Sequence, residues 1–563
     1  MRLIFYNFQR GVVEKLKRVI NAIIGIALRI IYQWIDFILY VKDIGPYRRL
    51  IKKFPIVHSK GSLLIISGRG MNVVWAQIWT MLSVAVSAKG YRVFVLTTRA
   101  QKNLNQYYRL MGIQPVYFED YDANTPVALP ADVENELMLA NSIESFKRLT
   151  YQNAPIGEIA LSTYCRYHGT GSIDFLKLEV RQFIEHWVLQ IVQSICIANI
   201  IFDKYDVRLT FFTEVFMEEY GAFYYAALAR ELNVTRFAGT VRDDAIIVQH
   251  LSRTNDRTHH ASLSPSSWAW VKDQPYTQAV ETALQTNFMN RYGDRWHRSK
   301  RNQPGTKIFN RDEVRRQLGL SPTRKVAVIY SHILYDTLFF FGTDLFNNYV
   351  EWLVETVRVA CANPDVDWLI KVHPSNLWRG EFDSLLKGRY EEELVIEKSI
   401  GILPSHVRIV PASTQINPYS WFEMADYGIT VRGTSGLEMA ALGKTVITAG
   451  TGRYEGNGFT VDPPTREAYL ELLSCLPNVP APTVGQVELA KRYAYSVFVL
   501  KPFTVTSLVP RLKTGKQKAL ASDDIIYTPS KLQKNELPQD LQIFSDWLDE
   551  PSNQDLLNAW GEE

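Results

Sequence analysis

The chain has 563 residues, 47% hydrophobic and 21% charged, which excludes a disordered protein and allows two or three domains with cores of their own. Cys165, Cys196, Cys361 and Cys475 are scattered singly, arguing against a disulfide framework or a paired-cysteine metal site and for a reducing compartment. The net charge of +4 is uneven: residues 1–60 hold twelve Lys/Arg against three Asp/Glu, a net of +9 that leaves −5 on the other 503 residues.

The basic segment comes first. Its apolar run, residues 19–41, is long enough to span a bilayer at about 1.5 Å per residue. Asn21, Arg29, Gln33 and Asp36 interrupt it, and a charge at bilayer depth costs at least ~2.5 kcal/mol. Residues 1–55 therefore read as a basic amphipathic helix lying in the interface, with Tyr32 and Trp34 near headgroups and Arg48, Arg49, Lys52 and Lys53 facing an anionic membrane surface. A helix packed on the body and a true span are the alternatives. No cleavable signal pattern follows the apolar run, so the expected location is cytoplasmic, peripheral on the inner face of the cell membrane. The basic excess sits with an apolar helix instead of a folded stripe, so no nucleic-acid partner is expected.

Residues 56–250 begin with "GSLLIISGRG", a buried strand followed by the loop Gly68, Arg69, Gly70. An apolar-periodic helix follows to about Ala88, then the strand "YRVFVLTT"; this β–loop–α–β order starts a doubly wound sheet. "GRG" is not a dinucleotide fingerprint, although a glycine loop lets a ligand approach backbone closely. A helical insert covers about 122–200, and strand, acidic loop, helix and strand recur in "VRLTFFTEVFMEEYGAFYYAALARELNVTRFAGT". Residues 251–322 read as a loop-rich connector; its His259-His260 pair reads more readily as polar loop than as a metal site. Residues 323–510 form a second α/β unit with strands in "RKVAVIYSH", "VDWLIKVHP", "VRIV", "ADYGITVRG" and "KTVITAG". Residues 511–563 are an acidic tail, docked on the basic N-terminus or loose. The expected fold is α/β, with two Rossmann-like domains facing a cleft.

Three strand ends of the second unit carry polar groups: Ser331-His332, His373-Pro374 with Lys371 just before, and Arg432 leading into Gly433-Thr434-Ser435-Gly436. The last opens a helix, and such a start offers N–H groups, hydroxyls and a favourable dipole to phosphate. Glu438 sits one turn on, where a carboxylate can bond ribose hydroxyls. Arg453 follows the fifth strand and can reach the same anion. Each has a plain structural alternative: an N-cap with an early Glu, a strand-end lysine, a solvated loop arginine. Asp365 and Asp367 directly precede a strand and read as a turn, so no metal and no cofactor beyond a nucleotide co-substrate is expected.

"VRGTSGLEMAALGKTVITAG" and "LIKVHP" resemble the nucleotide-sugar half of GT-B glycosyltransferases, more narrowly the bacterial capsule and surface-polysaccharide proteins that include Kdo transferases. Bacterial sialyl- and polysialyltransferases share the His-Pro and Ser/Thr elements. The likeness covers 325–470 well, and 60–120 and 205–240 loosely. It implies a GT-B-like, metal-independent glycosyltransferase moving a sugar from a nucleotide-sugar donor, a CMP-linked ulosonic acid, to a surface polysaccharide or lipid-linked glycan. It also implies phosphate contacts from His373 and nucleotide contacts from Thr434 and Ser435, with Glu438 toward the ribose. Inverting transfer needs a base across the cleft. "TEVFMEEYG" offers Glu219, then Glu218, then Glu214; polysialyltransferases carry an acidic-acidic-Gly motif in that half, and here Tyr220 interrupts it. First-turn acids are favoured at a helix start in any case. Gly68, Arg69, Gly70, Arg242 and Asp243 are acceptor-side candidates. The rival readings are a teichoic-acid-type CMP-polyol phosphotransferase, a sugar-nucleotide epimerase and a non-catalytic scaffold.

Overall fold

The apolar runs become two parallel sheets of the same strand order. A computed structural model describes residues 37–38, 40–54, 60–70, 73–125, 128–293, 295–301, 305–377, 389–512 and 525–561. In the first sheet β1 (Ser62–Ile66), β2 (Arg92–Thr97), β3 (Gln114–Tyr117), β4 (Val207–Phe212) and β5 (Asn233–Gly239) run parallel in the order β3-β2-β1-β4-β5. β6 (Ala245–Leu251) pairs antiparallel with β5. The second sheet contains β7 (Lys325–Tyr330), β8 (Val366–Lys371), β9 (Val407–Val410), β10 (Tyr427–Thr430) and β11 (Thr445–Thr448), all parallel in the order β11-β10-β7-β8-β9. Leu63–Ile66 and Val326–Ile329 are wholly buried, as strands covered on both faces must be. These are the two Rossmann-like domains of the expected GT-B-like arrangement.

Each sheet reverses its winding beside its first strand, between β1 and β4 and between β7 and β10. At such a switch point the loops leave in opposite directions and open a crevice at the carboxyl ends of the strands. The Gly68–Gly70 and "TEVFMEEYG" loops share the first crevice; Ser331-His332 and Arg432–Ser435 share the second.

Helix α1 (residues 40–51) packs Tyr40, Ile44, Tyr47 and Leu50 against the first domain and turns Lys42, Arg48 and Arg49 outward, with Lys52 and Lys53 exposed at its end. The packed-helix alternative thus holds for this part, while the expected interfacial stretch before it lies outside the described residues. The other helices used below are α2 (Val73–Ala88), α3 (Ile156–His168), α4 (Leu178–Lys204), α5 (Glu218–Ala229), α6 (Gln278–Tyr292), α7 (Tyr349–Ala362), α8 (Glu391–Ser399), α9 (Thr434–Ala441) and α10 (Gln539–Leu548). Among the described residues, α4 is long and apolar enough to cross a membrane. Its Val180, Ile184, Val188, Ile191 and Ile195 are instead buried against α3 and α5 in the domain core.

One expectation is corrected and one open alternative is decided. The segment 251–322 is more helix than connector: Val280, Leu284, Phe288 and Tyr292 form one buried stripe of α6 in the second domain's core. Of the two alternatives for the tail, the docked one holds for its described residues: Tyr47 Oη of α1 and Ser530 Oγ lie 3.2 Å apart, and α1 shares one core with Ile525, Leu541 and Phe544. β12 (Phe503–Thr504) pairs with β6, β13 (Leu508–Leu512) and β14 (Ile525–Pro529) form a hairpin, and α10 buries Leu541, Phe544 and Leu548 in the core that α2 lines. Lys501 and Asp555, both 0% exposed, pair at 2.6 Å and fasten this return.

The domains touch through the loop after β7. Ser162 donates to the Leu338 carbonyl (2.8 Å), Arg166 pairs with Asp336 (3.0 Å), and Glu391 at the start of α8 accepts from Thr170 Oγ1 and Gly171 N–H, both at 3.0 Å.

Candidate functional site

A cavity of about 490 Å³ opens at the carboxyl end of the second sheet, and its lining includes Ser331, His332, Lys371, His373, Pro374, Arg432, Thr434, Ser435, Glu438 and Arg453. All ten donor-side candidates therefore share one space. They converge because β8, β7 and β10 are adjacent and parallel, so their last residues end side by side.

His373 is held from below. Its N–H donates to Ser331 Oγ (3.1 Å), Ser331 Oγ donates to Glu392 Oε1 (2.9 Å), and Asn376 donates to both Glu392 oxygens (3.1 and 3.2 Å). Ser375 N–H donates to His373 Nδ1 (3.2 Å), so the ring carries its proton on Nε2. Lys371 is buried and donates to the Val372 carbonyl at 3.0 Å; burial lowers its pKa to about 8, against a pull upward from Glu392.

His332 and Arg432 build the wall, and their polar atoms are already committed. His332 Nε2 accepts from Val431 N–H (3.2 Å) and faces Thr430 Oγ1 (3.2 Å), its ring stacks on Tyr349 at 4.5 Å, and burial keeps its pKa well below the usual range. Arg432 is 3% exposed; it donates to the Thr451 carbonyl (2.8 Å) and Tyr349 Oη (3.1 Å) and pairs with Asp344. Both line the cavity and also clamp the ends of β7 and β10.

The start of α9 is different. Its N-cap is Gly433, which brings no side chain to cap the first-turn N–H groups. At Gly436 an added Cβ would lie 2.0 Å from Tyr454 Oη, which donates to the Gly433 carbonyl (2.7 Å), so only glycine allows this close packing. Arg453 lies against this helix start, donating to Thr434 Oγ1 (2.6 Å) and the Arg432 carbonyl (3.1 Å), while its Nε is buried with no partner among the described residues. Burial lowers its pKa, and Arg291 adds to the effect. A cation with a buried, unsatisfied donor at the positive end of a helix, beside other arginines, is costly without an anion.

Glu438 is buried and ion-paired with Arg291 Nε of α6 at 2.6 Å, while its Oε1 accepts no hydrogen bond among the described residues. Arg291 was missed because it lies in the segment read as connector. The aromatic lining was missed as well: Tyr330, Trp421 and Phe422 give the cavity a flat apolar side, with Thr414 and Gln415 at its edge. His259 also lines the cavity; its Nδ1 accepts from Ala261 N–H (3.0 Å) and its ring lies 4.0 Å from that of His260, tilted by 31°. Burial holds both imidazoles well below their usual range. Asp367 is buried and pairs with Arg324 at 3.0 Å.

Across the cleft the three glutamates separate. Glu219, 4% exposed, accepts from Arg69 N–H at 3.0 Å and ties the β1 loop to α5. Gly68 has φ +68°, and an added Cβ would meet Tyr220 Oη at 1.9 Å; that hydroxyl donates to the Ser67 carbonyl at 2.9 Å. Arg69 bonds Asp122 (2.9 Å) and lies 4.3 Å over Phe118, and Gly70 O accepts from Gln101 at 2.6 Å. Tyr220, Glu219 and the glycine loop thus form one structural knot. Glu218 and Glu214 are only half-buried by their own surface yet set deep, and burial raises both to about 7. Among the described residues, the cavity lining includes none of the three. Asp336 does line it, and its partner Arg166 interacts electrostatically with Glu218 and Glu214. Glu219, ranked first from the sequence, is held by the Arg69 N–H.

Arg242 pairs with Asp244 at 3.0 Å and donates to Thr504 Oγ1 at 2.8 Å. Asp243 accepts from the N–H groups of His297 (2.8 Å) and Arg298 (3.1 Å). Both fasten the sheet edge.

No protein-family model matches the chain, and no curated protein matches it. Among solved structures, the KpsC beta Kdo 2,4 transferase of Thermosulfurimonas dismutans aligns with 53% of this chain and 82% of its own at 16% identity and TM-score 0.32. A UDP-GlcNAc 2-epimerase from Neisseria meningitidis aligns with 77% and 97% at 11% identity and TM-score 0.25. A glycosyltransferase from Rickettsia africae aligns with 78% and 92% at 10% identity and TM-score 0.25.

Proposed function

We propose that the chain is a glycosyltransferase taking a sugar from a nucleotide-activated donor bound in the second domain. The observation that carries this reading is Arg453, a half-buried cation whose Nε is buried without a partner among the described residues at the uncapped start of α9. A phosphate there gains the Thr434 and Ser435 N–H groups, the helix dipole and a charge-assisted bond from Arg453. His373 Nε2–H and Lys371 line the same space, and Tyr330, Trp421 and Phe422 offer an aromatic side to a base. Transfer then breaks the bond from the anomeric carbon to the phosphate oxygen and forms one to the acceptor oxygen. Glu218 takes the acceptor's proton; a carboxyl poised near 7 suits that task at neutral pH. Arg453, Lys371 and the α9 dipole stabilise the leaving phosphate, a charge set that serves without a metal.

The finer proposal is a CMP-linked ulosonic acid as donor and a surface polysaccharide or lipid-linked glycan as acceptor. Supporting a peripheral site on the inner face of the membrane, α1 turns Lys42, Arg48 and Arg49 away from the body toward any anionic surface, with Lys52 and Lys53 beside them.

Calorimetric titration of the full chain with CMP, UDP and GDP, repeated on His373→Ala, tests the reading. Binding of one nucleotide that the variant loses or weakens is expected, and its identity chooses the donor class. Binding of none of the three overturns the transferase reading and leaves a scaffold.

A further inference from the structure

Two helices of the first domain bring a row of rings to its surface. Tyr164, Tyr167 and His168 close the last turn of α3, and Phe183, His186 and Trp187 sit on α4. Residues 164 and 168 are four apart, as are 183 and 187, so each helix turns two rings to one side. Tyr167 lies 5.7 Å from Trp187 and 5.8 Å from Phe183, Phe183 lies 5.6 Å from Tyr164 and 4.9 Å from His168, and His186 lies 6.2 Å from Trp187.

Rings at this spacing ordinarily make core, yet these stay open. Tyr167 is 52% exposed, His168 and His186 are exposed, and Phe183 and Trp187 are half-buried. Leaving such area in water forgoes about 25 cal/mol per Å² that packing would recover. The row combines apolar ring faces with polar edges: a phenol hydroxyl, an indole N–H and two imidazoles. That mixture fits a pyranose, which presents a C–H face and hydroxyl edges together, better than an acyl chain or a purely apolar protein patch. The row also leads to chemistry. The Tyr167 hydroxyl is close enough to the Glu218 carboxyl for the two to interact electrostatically. Glu218 itself holds φ +51°, a backbone state that costs a non-glycine residue about 1–3 kcal/mol and gathers at functional sites.

We propose that Tyr167, Phe183 and Trp187 form the acceptor subsite, a stacking platform for successive sugar rings that delivers the terminal hydroxyl of an oligosaccharide to Glu218. This rests on the transferase reading and adds the acceptor class: a chain of pyranose rings, as opposed to a free monosaccharide or a bare lipid phosphate.

The test titrates the full chain, by calorimetry and saturation-transfer NMR, with maltohexaose, chitohexaose and a sialic acid hexamer, each beside its monosaccharide, and with CMP, UDP and GDP in parallel. One hexamer is expected to bind better than its monomer. Trp187→Ala weakens that hexamer about ten-fold, the loss of one stacked ring, while Trp187→Phe retains most of the affinity and nucleotide binding is unchanged. Tyr167→Ala, at an exposed position, reads the same platform should Trp187→Ala fold poorly. No hexamer bound, or a bound hexamer indifferent to both variants, overturns the platform whether or not nucleotide binds. Hexamer binding lost in the variants, with no nucleotide bound by the wild type, keeps the platform and overturns the transferase.

Discussion

Arg453→Met removes a cation from the cavity while keeping most of its bulk. In the liganded protein a charge-assisted bond to phosphate contributes about 1.5–3 kcal/mol, so the nucleotide Kd should rise roughly 12–150-fold. In the unliganded protein the terms oppose. The variant gives up bonds to Thr434 Oγ1 and the Arg432 carbonyl, each about 0.5–1.5 kcal/mol. It also relieves an arginine whose Nε is buried without a partner, which lies at the positive end of α9 and which Arg291 opposes; an unsatisfied buried donor alone costs about 1–3 kcal/mol. Loss and relief are of one size, so the unliganded stability should hardly move. Calorimetric titration with whichever nucleotide the wild type binds, beside scanning calorimetry of both proteins, separates the two quantities. A large drop in unfolding temperature with an unchanged Kd would refute the reasoning and make Arg453 a strut.

Three further outcomes follow. Glu218→Gln should lower turnover by about 10²–10⁴ with nucleotide Kd unchanged; in the wild type, turnover should fall as pH drops through about 7, where the raised carboxyl takes up its proton. A Gln variant near the wild-type rate removes Glu218 from the chemistry. Lys371, lowered to about 8, is half neutral at that pH; an anion beside it raises the pKa, so binding at pH 8 should take up about half a proton and at pH 6 almost none. Calorimetry in buffers of different ionisation enthalpy reads this, and proton release would contradict it. Lys501→Met strands the buried Asp555 carboxylate and should destabilise the protein by about 3–5 kcal/mol, with Lys501→Met/Asp555→Asn costing less; equal melting temperatures for wild type and the single variant would refute it.

The strand ends were legible because buried parallel strands announce themselves as short apolar runs, and polar residues directly after such runs must emerge at the crevice. Ser331, His373 and Thr434 were found that way. What each side chain does once there was not legible. Arg291 is 147 positions before Glu438, and nothing local to "GTSGLEMAALGK" reveals that its carboxylate is already paired. Arg432 finds Asp344 in the same manner, and Glu219 is claimed by a backbone N–H of the β1 loop. The α6 stripe at 280, 284, 288 and 292 had a helical spacing that the polar residues between concealed. The tail's apolar residues, Ile525, Leu541 and Phe544, are few and separated by charge, and their partner surface on α2 is more than 400 positions away.

That return of the chain bears on its synthesis. β1 and α2 are made long before β14 and α10, which supply part of the surface covering α2. The first domain cannot complete its core until α10 has been made, whereas β7–β11 and their helices have every strand of their sheet in hand by residue 448. The domain encoded first is the one closed last, and until α10 arrives its apolar flank is a place for a chaperone to bind.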